Sequence, residues 1–249
     1  MHTPSRPLLV LVHGANHQGV CWDPTVAALG DRVPDGQVLA VDLPGRGGDT
    51  TDVASISIGR CVDSVLRQID EVTDGDVVLV GHSLGGVVIT GAATALGHRR
   101  VQHLVFVAAT IPAEGGAVLD TLGLVPRLTV PLAARRRKLS RYPRRAAVRA
   151  FCNGMDATQR SFVLEQLCPD ASWLVTEPVH RATLSPAIDR TWVLTTEDRA
   201  VPAERQRRNI ENLGGVNRII EIASGHDVMV REPAALADAL ASCWALPVR

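Results

Sequence analysis

The sequence predicts an α/β protein built on a mostly parallel sheet, and three observations carry that prediction. Short runs rich in Val, Leu and Ile alternate with longer amphipathic stretches, the order that strand–helix–strand units produce. The short runs are apolar nearly throughout, as in strands covered on both faces. With 249 residues, 46% of them hydrophobic and 21% charged, the chain can bury one sizeable core, and global disorder is excluded.

Leu8–Val12 opens the series. Five apolar residues are too few for a signal-peptide core or a membrane span, so the run reads as a buried strand. Val38–Val41, Val77–Val80, Val101–Val107, Trp192–Thr196 and Arg218–Ile222 follow as strands, for a sheet of six. Helices fall between them at Trp22–Leu29, Ile58–Val72, Leu84–Leu96, Ala203–Asn212 and Glu232–Leu246. In the last, Pro233 suits a first helical turn, and Leu236, Leu240 and Trp244 recur every four residues. The alternation breaks once. From Pro112 to Pro186 no buried strand is evident, and Pro112, Pro126, Pro131, Pro143, Pro169 and Pro178 punctuate short helical pieces. A stretch of about 75 residues is too long for an ordinary connection. It reads as a helical cap, residues 112–186, inserted into a core formed by 1–111 and 187–249.

Acids and bases balance at 26 each, which excludes a generally basic nucleic-acid binder. The balance hides a segregation. Between Asp120 and Asp156 there is no acid but nine bases: Arg127, Arg135, Arg136, Arg137, Lys138, Arg141, Arg144, Arg145 and Arg149. The remainder holds 17 bases against 26 acids. A solvated helical face is the plain reading of the basic segment. Recognition of an acidic substrate or carrier through arginine forks is the sharper one. Nucleic-acid or membrane contact is disfavoured, with Tyr142 the lone interleaved aromatic. The five cysteines, Cys21, Cys61, Cys152, Cys168 and Cys243, make neither a complete disulfide framework nor a CxxC metal pattern. Reduced thiols in a soluble, cytoplasmic protein are therefore expected.

Chemistry concentrates in Val77-Val78-Leu79-Val80-Gly81-His82-Ser83-Leu84-Gly85-Gly86. Gly81-x-Ser83-x-Gly85 lies directly after a strand and directly before a helix, where a tight turn exposes the serine hydroxyl and glycines relieve the crowding. A serine hydroxyl is a weak nucleophile until a base takes its proton, and that base needs a third group to orient it. Of eight histidines, His226 alone follows a strand on a turn, Ser224-Gly225-His226-Asp227, with an acid-bearing strand end between it and Ser83. His180, inside the cap, reads as structural or substrate-facing. Asp198, two residues past the fifth strand, is preferred as the acid over its neighbour Glu197 and over Asp227, since adjacent side chains rarely face each other. The oxyanion donors are assigned to the Leu84 amide and, in the loop His13-Gly14-Ala15-Asn16, to the Ala15 amide. Gly45-Arg46-Gly47-Gly48 lacks the Lys-Ser/Thr of a phosphate loop. Neither a cofactor nor a metal is expected.

These residues resemble the α/β-hydrolase superfamily. The finer pattern is similar to the plant methyl-ester esterase and hydroxynitrile lyase group: His13-Gly14-Ala15 followed by His17 and Trp22, Gln166-Leu167-Cys168-Pro169-Asp170, Thr196-Glu197-Asp198-Arg199-Ala200-Val201-Pro202, and His226 seven residues before Pro233. The resemblance covers nearly the whole chain and is weakest from Leu122 to Arg149. It implies an α/β-hydrolase fold and a chain that begins at the third strand of the usual sheet. Lyase members of the group carry a hydroxyl residue after the His-Gly pair and a lysine after the histidine. Ala15 and Asp227 stand there instead, which favours hydrolysis of a small carboxylic ester. A lyase, cyclase or acyltransferase on the same triad, or a slow-turnover ligand receptor, stays as the alternative. The substrate pocket is expected to draw on His17 and Trp22 and on the cap aromatics Phe151 and Trp173.

Overall fold

The computed structural model describes residues 6–34, 36–136 and 139–245. Arg137 and Lys138 of the basic segment, and Leu246 at the end of the last expected helix, lie outside the described residues.

The core strands are β1 (Leu8–Val12), β2 (Val38–Val41), β3 (Val77–His82) and β4 (Val101–Val107), and, beyond a two-stranded side sheet, β7 (Asp189–Thr195) and β8 (Arg218–Ile222). They pair in the order β2-β1-β3-β4-β7-β8, every neighbour parallel. Along β1, Leu8, Val10 and Val12 enter one apolar cluster while Leu9 and Leu11 enter the other, on the opposite face. That explains why the central strands read as unbroken apolar runs. The edges depart from the expectation of cover on both faces. β2 is half-buried over three of its four residues, and β8 is exposed at Arg218, Ile219 and Glu221. An edge strand has one neighbour, and charged residues on it deter pairing with other chains.

Five helices flank the sheet in the expected places: α1 (Asp23–Leu29), α2 (Ile58–Asp70), α3 (Gly85–Arg100), and, after the insertion, α7 (Ala203–Asn212) and α9 (Pro233–Trp244). The regular part of α3 ends near Leu96, because Gly97 leaves helical geometry with φ 74°. The Ser57 hydroxyl caps α2 by accepting from the Arg60 amide at 3.1 Å.

Between β4 and β7 the chain forms α4 (Leu124–Arg135), α5 (Arg144–Phe151) and α6 (Ala157–Gln166). The side sheet also lies here, an antiparallel pair of β5 (Leu139–Ser140) and β6 (Asp170–Ala171). A one-turn helix, α8 (Val228–Arg231), precedes α9. Among the described residues no helix is long and apolar enough to cross a membrane.

Strand order reverses between β1 and β3: the chain runs from β1 outward to β2, then returns to the other side of β1. Loops at the carboxyl ends of strands diverge at such a switch and leave a crevice. Gly14–His17 follows β1 and Ser83 follows β3. Asp198 and His226 follow β7 and β8 at the same edge.

Candidate active site

Ser83 sits on the turn between β3 and α3 with φ 50°, a conformation non-glycine residues adopt only under local constraint. Its amide donates to the Val107 carbonyl at 3.1 Å, and its carbonyl accepts from Gly86 and Thr110. The two motif glycines answer to close approach. A Cβ on Gly81 would lie 2.6 Å from the Gly85 oxygen, and one on Gly85 would lie 2.5 Å from the Val12 oxygen. A side chain at Gly81 would push against the start of α3, and one at Gly85 against the end of β1.

His226 donates from Nδ1 to Asp198 Oδ2 at 2.7 Å, with both side chains buried. Asp198 is held in turn. Its Oδ1 accepts from the Ala200 and Val201 amides, each at 2.8 Å, and its Oδ2 from the Thr195 hydroxyl at 3.0 Å. Gln206 on α7 braces the same corner, donating to Thr195 and to the Val201 carbonyl. Burial alone would lower the His226 pKa, but the Asp198 charge and hydrogen bond, with the Asp227 charge, outweigh it and raise the pKa above its ordinary 6.5. Glu197 turns outward to an ion pair with Arg231 at 2.5 Å, so it does not compete for the imidazole.

Ser83 and His226 line one cavity of about 740 Å³, together with Ala15 and Leu84, whose amides are the expected oxyanion donors. Among the described residues no hydrogen bond joins the Ser83 hydroxyl to the imidazole. Such bonds commonly tighten only when substrate binds.

The loop after β1 is fastened from several sides. His13 Nδ1 donates to the Gly14 carbonyl at 2.8 Å, and Nε2 accepts from the Leu43 amide at 3.2 Å. Burial, then the Arg46 charge, lower the His13 pKa to about 3, so the ring is a neutral brace. Asp170 accepts from the Asn16 amide at 2.9 Å and forms a buried ion pair with Arg46. The Gln166–Asp170 stretch therefore acts from the insertion on the loop after β1.

The expected substrate-pocket residues divide. Phe151 lines the cavity and stacks on the His226 ring, centroids 5.7 Å apart. His17, Trp22 and Trp173 are not among its lining residues, a correction to the expectation. Trp22 is fully buried in the core beneath β1. Trp173 donates its indole N–H to the Ile56 carbonyl at 2.8 Å.

His17 has a different job. Its Nδ1 faces the Ala15 carbonyl at 2.8 Å and its Nε2 faces Asp227 Oδ2 at 2.9 Å. Both partners are acceptors, so both ring nitrogens carry protons and His17 is an imidazolium. Burial opposes that charge, but the Asp227 charge and hydrogen bond and the Ala15 carbonyl prevail, and the His17 pKa is raised. The pair ties the loop after β1 to the residue after His226. Sequence reasoning missed it, because the pattern places His17 near the site without fixing where its ring points.

Donor atoms of His82, His226 and Asp227 lie within 4.8 Å of one another, a grouping that could hold a metal ion. Two of these residues are engaged otherwise: His226 Nδ1 bonds Asp198 and Asp227 Oδ2 bonds His17. His82 Nε2 meets the His226 carbonyl at 3.1 Å. Burial, then the neighbouring His226 and His17, hold the His82 pKa well below 6.5. Each of the three is thus already engaged by a hydrogen bond within the protein.

Sheet order and the strand–turn–helix serine define a doubly wound α/β protein with its site at the switch point. A family model described as "Alpha/beta hydrolase family" matches residues 9–239, and the chain belongs to that family. It is 29% identical over 245 residues to the carbendazim hydrolyzing esterase of Nocardioides sp., covering 94% of this chain and 98% of that protein. Salicylic acid-binding protein 2 of Nicotiana tabacum is 27% identical over 255 residues, covering 93% of this chain and 94% of its own. Among solved structures, an extracellular alpha/beta-hydrolase from a Paenibacillus species superposes with a TM-score of 0.84 at 23% identity, covering 95% and 98% of the two chains. At that identity the likeness speaks for the fold.

Proposed function

We propose that Ser83, His226 and Asp198 form the catalytic triad of a carboxylic ester hydrolase acting on a small-molecule ester. The observation that carries this reading is the buried 2.7 Å bond from His226 to Asp198, with His226 lining the cavity that Ser83 also lines. Asp198 fixes the tautomer that leaves Nε2 as the basic nitrogen. Ser83 Oγ attacks the ester carbonyl carbon while His226 Nε2 takes the hydroxyl proton. The Ala15 and Leu84 amides receive the negative charge that develops on the carbonyl oxygen. Collapse of the tetrahedral intermediate breaks the C–O bond, and His226 returns the proton to the departing alcohol. A water molecule repeats the sequence on the acyl-serine and releases the acid.

The esterase-named relative that aligns over nearly the full chain supports hydrolysis. So does a buried carboxylate, Asp227, where lyase members of the resembling group would carry a lysine. In this reading residues 112–186 are a cap, and residues 1–111 and 187–249 are the catalytic core. Replacing Ser83 by Ala is expected to abolish turnover of a small aryl ester such as 4-nitrophenyl butyrate. Undiminished turnover in a folded Ser83→Ala variant would remove the assignment.

A further inference from the structure

The wall of the Ser83 cavity carries three cations from three separate parts of the chain. Arg141 enters just before α5, Arg199 from the loop after β7, and Arg205 from α7. Among the described residues none of the three is paired with an acid, whereas their neighbours on α7, Arg207 and Arg208, pair outward with Glu221 and Glu204. Among the described residues the one acid in the cavity wall is Asp170, already engaged by Arg46 and by the Asn16 and Ala171 amides. Positive charge on this wall is therefore uncompensated from within the described protein.

Arg205 is the best placed of the three. It is half-buried, and its guanidinium stands against Gly123, also part of the wall: a Cβ on Gly123 would lie 3.1 Å from Nη2. The bare backbone at Gly123 leaves the planar fork unobstructed. Arg141 and Arg199 are exposed, as befits charges at an entrance. Much of the remaining wall is aliphatic, with Leu122, Val130, Leu174 and Val175. Apolar surroundings strengthen a charge contact made beside them.

We infer that the ester accepted at Ser83 carries a second, anionic oxygen-bearing group, and that Arg141, Arg199 and Arg205 receive it. The inference rests on the esterase reading and adds the substrate class: an aliphatic ester ending in a carboxylate or a phosphoryl group, both of which arginine forks bind in bidentate fashion. It also relocates the role of charge. Of the basic run from Arg127 to Arg149, Arg141 is the described base in this wall. It acts with two core arginines that lie outside the run.

The test compares 4-nitrophenyl esters matched in chain length: the neutral pentanoate, the glutarate half-ester, and an analogue ending in a phosphonate. The expected result is kcat/KM at least about tenfold higher for one or both anionic esters at low salt, the scale of one charge-assisted hydrogen bond. Added NaCl should narrow the gap. Arg205→Gln should reduce the anionic-to-neutral ratio about tenfold, Arg205→Lys should restore part of it, and Arg149→Gln should leave it unchanged. Because the ratio is read within each variant, a change in folded fraction cancels. Equal kcat/KM for charged and neutral esters at every salt concentration, with turnover still dependent on Ser83, would overturn the inference and leave the esterase reading standing. No turnover of any ester, with no labelling of Ser83 by a phosphonate, would overturn that reading as well.

Discussion

His226–Asp198 and His17–Asp227 are both buried histidine–carboxylate pairs, joined at 2.7 and 2.9 Å, and they stand close enough that the His17 and His226 rings both touch Phe151. Their difference lies in the second ring nitrogen. In His17 it is closed by the Ala15 carbonyl, so the ring holds two protons and can pass neither on without breaking a bond. In His226 the second nitrogen has no protein partner among the described residues, and the residue lines the cavity shared with Ser83. In the proposed mechanism the same chemical pair is a proton carrier in one place and a charged tie in the other. What distinguishes them is whether the far nitrogen meets a carbonyl or a cavity.

That comparison can be broken most severely at the acids. Asp198→Asn should lower kcat/KM for a neutral aryl ester about 10⁴-fold, because the amide favours the wrong imidazole tautomer. Asp227→Asn should cost only about tenfold, the scale of a positioning contact. Equal losses would erase the distinction. Next in size is stability. His17→Gln leaves Asp227 buried without its counter-charge, and urea unfolding should show a loss of about 3–5 kcal/mol. The double variant His17→Gln with Asp227→Asn should recover more than half of it. A single variant as stable as the parent would mean that the tie is not ionic.

Titration sharpens the contrast further. His226 must be neutral to accept the serine proton, so kcat/KM should rise with pH through an apparent pKa above 6.5. Removing the Asp227 charge takes away one of the influences raising that pKa, and the acid limb of Asp227→Asn should move to lower pH. His17 is read through stability. A group whose pKa is raised on folding contributes its full stabilisation below its unfolded value, and that contribution fades as pH climbs through the folded value. The parent's advantage over the double variant should therefore be complete below 6.5 and shrink above it. The smallest expected effect is at Phe151, which stacks on His226: Phe151→Leu should lower kcat about two- to tenfold, measured with the same neutral ester.

The ends of β1, β2, β4 and β8 and of α7 were legible in the sequence to the residue, and for β1, β2 and β4 apolar runs with flanking polar residues mark them directly. Ser83 was legible because a strained turn leaves a local signature: glycines where side chains would collide. Asp198 and His226 were found by their place after strands, where a parallel sheet collects its loops. The rest depended on tertiary direction. Nothing in the spacing of His17 tells whether its ring faces a cavity or Asp227, and Trp22, the residue directly before α1, fills the core. Arg205 carries no motif, and it and Arg199 line one cavity with Arg141, which comes from the insertion. Of the basic run itself, Arg141 is the described base that lines this cavity.

Covalent labelling tests Ser83 as the nucleophile without presuming a substrate. The intact protein, treated with a serine-reactive fluorophosphonate, should gain the mass of one label, mapped by peptide sequencing to Ser83, and folded Ser83→Ala should gain none. A label mapped to another residue, or equal labelling of Ser83→Ala, would contradict Ser83 as the nucleophile.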